Sequence, residues 1–199
     1  YKLQGIIKAS WTVLRILILP YKKLDSLIPE KGTIVDIGCG NGGFSNYISL
    51  SNSKRKVFGI DLSKKRIESA KKSIGKRKNV KFVLGDVTKI KQPKADCYLV
   101  IDVLHHIDFK NQEKLLKFLA KKMSKNSILI VKEVDPSSKI PFLFGHIIEK
   151  TLYPNERIYA RSRRDWQEFF HSLGLNTKVV PGSSYFPDST KIFILGKKK

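Results

Sequence analysis

A short apolar segment that runs directly into a cluster of glycines is the feature that most constrains this chain. Residues 33–37 are β-branched or apolar apart from one aspartate, which predicts a buried strand. Gly38, Gly40 and Gly42 follow at alternate positions, and the residues after them are predicted to be helical. Glycines allow a sharp turn and close approach of a ligand to the main chain. Because the helix beyond them presents unpaired N–H groups, the segment predicts a strand–loop–helix nucleotide-type site.

The aspartate inside the first strand separates two kinds of nucleotide site. Gly38, Gly40 and Gly43 also satisfy the dinucleotide pattern G-x-G-x-x-G, which alone is weak evidence. Asp36 stands two residues before the loop, where a carboxylate is a poor neighbour for an anionic pyrophosphate. It is a good neighbour for a ligand that carries an ammonium and a sulfonium group. The string VDIGCGNGGFS resembles motif I of the class I S-adenosylmethionine-dependent methyltransferases.

The second predicted strand ends in another acid. The predicted buried strand begins at Lys56, is apolar over residues 57–60 and ends in Asp61, where a carboxylate can accept both hydroxyls of a ribose, as in nucleotide-binding α/β sheets. Capping of the next helix by Asp61 or Ser63 is the alternative, and the two roles can coexist if Ser63 caps while Asp61 binds.

The third predicted strand, Val80–Leu84, is followed by Gly85-Asp86. This pair resembles the adenine-binding position of the family, which implies that Asp86 accepts from the adenine amino group while Val87 packs on the ring. The resemblance implies S-adenosylmethionine as the cofactor and no metal. The expected cofactor-binding residues are Asp36, Gly38, Cys39, Gly40, Asn41, Gly42, Asp61, Leu62, Gly85, Asp86, Val87 and Asp102.

Two adjacent histidines follow the predicted fourth strand, Asp96–Asp102. The string DVLHHI resembles small-molecule methyltransferases of the quinone-biosynthesis type. It departs from the [DNS]-P-P-[YF] signature of enzymes that methylate exocyclic amines of bases or glutamine. A histidine here could remove a proton from a hydroxyl or an amine, and a packed structural histidine is the alternative. We expect the catalytic residue to be His106, or His105 if the local turn is shifted.

The resemblance implies an α/β fold with a Rossmann-like, seven-stranded, mostly parallel sheet of order 3-2-1-4-5-7-6 and helices on both faces. One methyltransferase domain is expected over residues 1–199, with N-terminal helices in 1–28. The first of these helices is expected over residues 3–19 and the second over residues 21–28. Residues 139–160 are expected to form a lid-like insertion over the acceptor, and a helix that only covers core is the alternative. Its apolar side chains are Phe142, Phe144, Ile147, Ile148 and Tyr153, and Tyr159, Arg161 and Arg164 could orient a polar end of the acceptor.

Charge and cysteine content restrict the candidate binding partners and the cellular compartment. The chain carries 39 Lys and Arg against 17 Asp and Glu, a net charge of +22 that favours nucleic acid, acidic lipid or acidic substrates. Lysines spread over solvated helix faces are the alternative. Cys39 and Cys97 form no disulfide framework or zinc pattern, which predicts reduced thiols and a cytoplasmic protein. The apolar stretch 6–19 is shorter than the roughly 20 residues of a membrane span.

Three functions fit these observations. The first is methyl transfer to a small-molecule or lipid-like acceptor, with oxygen as the expected atom. The second is an RNA methyltransferase that uses the basic surface, and the third is a non-catalytic ligand-binding or membrane-surface protein that has kept the fold. The intact set of motif acids and glycines argues against the third. We expect a monomer with a small-molecule or lipid acceptor and peripheral contact with anionic membrane, and we regard nucleic acid as the weaker partner.

The charge hypothesis has a direct test. If the net charge of +22 forms a working surface, binding to phosphatidylserine vesicles or to RNA should fall steeply as salt is added. Vesicle sedimentation and RNA mobility shifts at low and at physiological ionic strength measure this, with phosphatidylcholine vesicles as the control. Absence of binding to both at low salt would mean that the lysines only solvate the surface.

Overall fold

The structure is a computed structural model that describes residues 20–152, 157–182 and 189–198. The helix expected over residues 3–19 lies outside the described residues, as does Tyr153 of the expected lid. The second expected N-terminal helix is present as α1 (Tyr21–Leu27). Assignment of all of residues 1–199 to one domain stays a prediction.

Strands and helices alternate through most of the chain. The strands are β1 (Gly32–Ile37), β2 (Arg55–Asp61), β3 (Val80–Leu84), β4 (Cys97–Ile101), β5 (Ile128–Val134), β6 (Leu175–Pro181) and β7 (Thr190–Lys197). The remaining helices are α2 (Gly43–Ser51), α3 (Lys64–Lys72), α4 (Phe109–Lys122), α5 (Lys139–Leu152) and α6 (Arg163–Ser172), with a 3-10 turn at Leu104–His106.

The strands form one seven-stranded sheet in the order β3-β2-β1-β4-β5-β7-β6. Neighbours from β3 to β5 are parallel, and β7 is antiparallel to both β5 and β6. The predicted fold class and strand order are therefore confirmed. Because β1 lies between β2 and β4, the chain crosses to opposite sides of β1, which opens a crevice at the carboxyl ends of these strands.

Each face of the sheet packs against its own set of helices. On one face, Leu24 of α1, Ile48 of α2 and Ile67 of α3 are buried in a single cluster. On the other face, Leu116 of α4 and Trp166 of α6 are buried in a second cluster. Helical spacing of apolar residues explains this arrangement, since residues three or four apart share one side of a helix.

Side-chain caps fix where three of the helices begin. Ser63 accepts from the N–H of Arg66 at the start of α3, and Asp108 caps α4. At α6, Ser162 and Asp165 form a capping box. These caps place the loops that follow β2 and β4, which carry candidate site residues.

The expected lid is helical in its first part. Residues Lys139–Leu152 form α5, and residues 153–156 lie outside the described part of the chain. Leu143 and Ile147, four residues apart and therefore on one side of the helix, are 59% and 56% exposed. No helix within residues 20–152, 157–182 and 189–198 has the length and apolar character needed to cross a membrane.

A buried arginine joins α1, α2 and β2 at the amino end of the sheet. Arg55 forms an ion pair with Asp25, and its Nε donates to Pro29 O at 2.8 Å. Its other guanidinium nitrogens donate to Ile28 O at 3.2 Å and to Ser51 Oγ at 3.0 Å. These contacts satisfy carbonyl groups where the two helices meet the sheet, so Arg55 has a structural role far from the crevice.

Replacement of this arginine should destabilise the fold. In Arg55→Met, Asp25 and several carbonyl groups lose their donor, and we expect the free energy of unfolding to fall by roughly 3 kcal/mol. Urea titration measures the change. Arg164→Met is the matched control, because Arg164 and Glu168 form an exposed pair and its loss should leave the midpoint unchanged. Equal effects of both variants would contradict the structural role assigned to Arg55.

Candidate active site

The glycine loop leaves β1 and is tied to the neighbouring strand. The N–H groups of Gly38 and Cys39 donate to Ile60 O at 2.8 and 3.1 Å. Gly38 has φ of +71°, and a Cβ there would lie 2.5 Å from Val103 Cγ2. Only glycine fits this position, because the backbone is left-handed and the segment after β4 packs directly against it.

The tip of the loop is open on one side. Gly40 has φ of +56°, and a Cβ there would meet nothing within 4 Å. Helix α2 follows with Gly42 at its N-cap and no side-chain acceptor for its first N–H groups. Asn41 is exposed beside them. The loop therefore leaves main-chain surface accessible to a ligand, as the sequence predicts.

Asp61 ends β2 and holds the glycine loop in place. Its Oδ2 accepts from Gly40 N at 2.9 Å, and its Oδ1 accepts from Ser63 N at 2.8 Å. Ser63 and not Asp61 is the N-cap of α3, and Asp61 remains at the crevice. Each carboxylate oxygen can accept a second hydrogen bond, which leaves capacity for ribose hydroxyls. Leu62 beside it is 75% exposed.

Asp36 lies beneath the loop within β1 and is 3% exposed. Ser45 Oγ of α2 donates to its Oδ2 at 2.5 Å, which ties the helix to the strand. Burial raises the pKa of Asp36 to about 7, although the Ser45 hydrogen bond opposes this shift and the charge of Asp61 adds to it. The carboxylate therefore changes its charge near neutral pH.

Both cysteines remain neutral thiols. Burial raises the pKa of Cys39 well above its ordinary value, and the charges of Asp36 and Asp61 raise it further. Burial likewise raises the pKa of Cys97, which lies inside β4. Cys39 thus contributes its backbone to the loop and not a reactive thiolate.

The expected adenine position begins directly after β3. Gly85 N donates to Asp61 O at 3.0 Å, so this turn lies next to the expected ribose position. Asp86 Oδ1 accepts from Thr88 N at 2.9 Å and from Thr88 Oγ1 at 2.7 Å, and these bonds lower the pKa of Asp86. Val87 is 6% exposed and packs in the core. Asp86 therefore presents an ionised carboxylate, whereas Val87 presents little side-chain surface.

The exit from β4 contains a left-handed aspartate. Asp102 has φ of +54°, and its N–H donates to Lys132 O of β5 at 2.9 Å. Lys132 Nζ lies 2.7 Å from Asp102 Oδ1, in a pair whose side chains are 5% and 10% exposed. The exit is thus fixed by both the backbone and the side chain of one β5 residue.

The two candidate histidines occupy different environments. His105 is 2% exposed, and its Nδ1 lies 2.6 Å from Glu133 Oε2. Glu133 Oε1 accepts from Val103 N at 2.9 Å and Leu104 N at 2.6 Å. Because both carboxylate oxygens face N–H groups, Nδ1 carries the proton of the neutral His105 ring and Nε2 carries the lone pair. His106 is exposed, with its ring centroid 4.2 Å from that of His105.

A second set of contacts holds the same turn from the side of α4. Gln112 is fully buried, and its Nε2 lies 2.9 Å from Leu104 O and 2.8 Å from Tyr159 O. Tyr159 N donates to His105 O at 2.8 Å. Arg161, expected to orient the acceptor, instead bonds Gln112 Oε1 at 3.0 Å and also pairs with a glutamate of α4. Its guanidinium is thus engaged within the fold.

The parallel strands bring most of the expected residues to one edge of the sheet, since they follow β1, β2, β3 and β4. Sequence reasoning missed three partners in the site: Ser45, Lys132 and Glu133. The signal for two of them was the pair Lys132-Glu133, which interrupts an otherwise apolar strand. Charged residues buried in a strand require partners, so they mark a polar network.

Comparison with known proteins identifies the family. A family model described as a methyltransferase domain matches residues 28–174. The chain belongs to the class I S-adenosylmethionine-dependent methyltransferases, and S-adenosylmethionine is the methyl donor that this family uses.

The curated relatives include N-methyltransferases and O-methyltransferases. (S)-coclaurine N-methyltransferase of Thalictrum flavum subsp. glaucum is 29% identical over 164 residues, which cover 80% of this chain and 40% of that protein. A malonyl-[acyl-carrier protein] O-methyltransferase of Halalkalibacterium halodurans is 36% identical over 74 residues, 36% of this chain and 27% of that protein. The chain thus spans less than half the length of these relatives.

Solved structures share the fold. An O-methyltransferase from neocarzinostatin biosynthesis, in complex with S-adenosylmethionine and 2-hydroxy-5-methyl naphthoic acid, has a TM-score of 0.73 and 18% identity. The match covers 97% of this chain and 58% of that chain. At this identity the likeness shows the fold alone.

The buried aspartate predicts a specific pH dependence of stability. Between about pH 4 and 7 the native state keeps a proton on Asp36 that the unfolded chain releases, so its contribution to the free energy of unfolding falls as pH rises. Asp36→Asn removes this contribution while an amide oxygen still accepts from Ser45. Relative to wild type, the variant should gain on the order of 2 kcal/mol between about pH 5 and pH 8, measured by urea unfolding.

Asp86→Asn is the matched control. The pKa of Asp86 is lowered, so its contribution is complete above the unfolded pKa and is lost only in more acidic solution. Its stability difference from wild type should stay constant over the same pH range. A constant difference for Asp36→Asn as well would contradict the buried, proton-binding state of Asp36.

Proposed function

We propose that this chain transfers the methyl group of S-adenosylmethionine to an oxygen of a small, largely apolar organic acceptor, with His105 as the base. The observation that carries the proposal is the buried His105–Glu133 pair, 2.6 Å between Nδ1 and Oε2, at the carboxyl end of β4. A carboxylate that holds Nδ1 fixes the tautomer whose Nε2 can accept a proton. The quinone-biosynthesis-like branch stays a prediction.

The cofactor roles follow from where the chain places its polar groups. The loop Gly38–Gly42 offers main-chain groups on its open side, and Asp61 has lone pairs for ribose hydroxyls. Asp36 lies beneath that loop and contributes negative charge above about pH 7, which favours a sulfonium or ammonium nearby. Leu62, exposed next to Asp61, offers an apolar surface for the adenine.

Bound S-adenosylmethionine supplies an activated methyl group, and its sulfur keeps the electron pair of the broken C–S bond. The protein therefore has to place the acceptor oxygen in line with that bond and exclude water. His105 Nε2 takes the proton of the acceptor hydroxyl as the new O–C bond forms. Glu133 stabilises the resulting imidazolium through Nδ1–H, and the proton then leaves to solvent.

Helix α5 supports an apolar acceptor. Its exposed Leu143 and Ile147 belong to neither core cluster, and Phe142 stacks on His146 with centroids 5.9 Å apart. Exposed apolar side chains of this kind are suited to cover a hydrophobic substrate and keep water from the sulfonium. We therefore retain the lid role for residues 139–160 as part of the proposal.

An amine acceptor is the second candidate. The observation that favours it is the similarity to (S)-coclaurine N-methyltransferase, a protein named for nitrogen methylation. His105 would then remove the proton of an ammonium before attack. RNA is the remaining alternative and is supported only by the net charge of +22. Membrane contact, a monomeric state and a cytoplasmic location also stay predictions.

Methyl transfer to defined acceptors tests the proposal. Methyl-labelled S-adenosylmethionine is incubated with the protein and with (S)-coclaurine, a hydroxynaphthoic acid, malonyl-acyl-carrier protein or bulk RNA. Label in the hydroxynaphthoic acid or in the malonyl ester supports oxygen as the methylated atom. Label on the amine of coclaurine supports nitrogen. Label in RNA alone would overturn the small-molecule assignment.

The base is tested by His105→Asn, whose amide nitrogen can still donate to Glu133 while the base nitrogen is absent. With a hydroxyl acceptor, kcat should fall by roughly 10²–10⁴-fold, the usual contribution of general base catalysis. Calorimetry should show unchanged binding of S-adenosylhomocysteine. His171→Gln, which alters an exposed histidine of α6, is the control. A larger loss in His106→Gln than in His105→Asn would transfer the role to His106.

A further inference from the structure

Two consecutive residues of β5 hold the four residues that leave β4. Lys132 O accepts from Asp102 N at 2.9 Å, and Lys132 Nζ donates to Asp102 Oδ1 at 2.7 Å. Glu133 contacts the next three residues. It accepts from Val103 N and Leu104 N and pairs with His105. Two consecutive residues of β5 therefore contact all of residues 102–105, in addition to the contacts that Gln112 and Tyr159 make with Leu104 and His105.

The two β5 side chains act from opposite faces of the sheet. Side chains alternate along a strand. Ile130 belongs to the core cluster with α1, α2 and α3, whereas Val131 belongs to the cluster with α4 and α6. By the same alternation, Lys132 extends to the first face and Glu133 to the second. The exit is clamped between them.

The clamped backbone is strained at its first residue. Asp102, at φ of +54°, is the single non-glycine residue with positive φ in the part of the chain that the structure describes. Such a conformation is unfavourable for a residue with a Cβ, and it persists only where the surroundings enforce it. Lys132 contributes two such contacts, because its O accepts from Asp102 N and its Nζ donates to Asp102 Oδ1.

Stability alone does not explain a lysine at position 132. Residues 128–131 of this strand are all aliphatic, and Lys132 is 4% exposed. An apolar side chain of similar volume paired with an apolar residue at 102 would be at least as stable, because burying two charges removes their hydration. The ion pair is better explained by the conformation that it selects.

The conformation of Asp102 affects both the glycine loop and the histidine turn. Val103, directly after Asp102, packs against Gly38 of the cofactor loop. His105, three residues after Asp102, is the proposed base. If Asp102 relaxed to an ordinary backbone conformation, the following residues would rotate and both contacts would shift.

We propose that Lys132 is a positioning residue for methyl transfer, acting through Asp102 to hold His105 and Val103 in their working places. The inference rests on the proposed role of the His105 turn. Its test does not need the acceptor, so the positioning role of Lys132 and the proposed function can fail separately.

The test observes His105 directly. In protein with ¹⁵N-labelled histidine, the four histidines are few enough to assign, with His105→Asn identifying the His105 signal. The Nδ1–H held by Glu133 should give a downfield resonance that exchanges slowly with water. In Lys132→Met this proton should exchange at least about tenfold faster, because the turn is released. Lys132→Arg, which keeps a cation, should largely retain the slow signal.

The double variant Lys132→Met/Asp102→Asn separates positioning from charge compensation. Without a buried unpaired carboxylate its thermal stability should recover, yet the His105 proton should stay in fast exchange. Arg55→Met is the matched control, since it removes another buried ion pair at the far end of the sheet and should leave the His105 signal unchanged. Slow exchange in folded Lys132→Met, or its full recovery in the double variant, would overturn the proposal.

Discussion

Carboxylates at the carboxyl edge of the sheet hold the loops that leave the neighbouring strands. Asp61 of β2 accepts from Gly40 in the loop after β1, and Glu133 of β5 accepts from Val103 and Leu104 after β4. In both cases a loop with left-handed residues gains a fixed acceptor for its N–H groups. The glycine loop and the histidine turn thus depend on the same kind of interaction, which parallel pairing of adjacent strands makes possible.

The two ends of the sheet use buried charge differently. At the amino end, Arg55 satisfies carbonyl groups and joins helices to the sheet. At the carboxyl end, Asp36, Lys132 and Glu133 are buried beside loops in which chemistry is expected. Buried charge is expensive unless it is paired, so its accumulation next to the crevice indicates a demand for a particular geometry or charge state. The family assignment accounts for that demand, because methyl transfer requires accurate alignment around a sulfonium.

The site also shows how one residue can serve both fold and ligand. Asp61 restrains Gly40 and Ser63 and retains lone pairs, which the proposed function assigns to a ribose. Asp86 has less remaining hydrogen-bonding capacity, because its Oδ1 already accepts from both Thr88 N and Thr88 Oγ1. Gln112 donates to the histidine turn and to Tyr159 O, and it accepts from Arg161. A site built in this way is preorganised, since its polar groups are oriented before any ligand arrives.

The sequence by itself determined the family resemblance, through a β-branched run that contains Asp36 and leads into three glycines, and through acids after successive strands. The resemblance in turn implied the fold class and the strand order. Tertiary structure decided which residues meet. The separation of His105 from His106, the pairing of Lys132 with Asp102 and the use of Arg161 within the fold depend on contacts between residues far apart in sequence. Local periodicity carries no information on such partners, since strand register and backbone direction at a turn are set only when β4 and β5 pair.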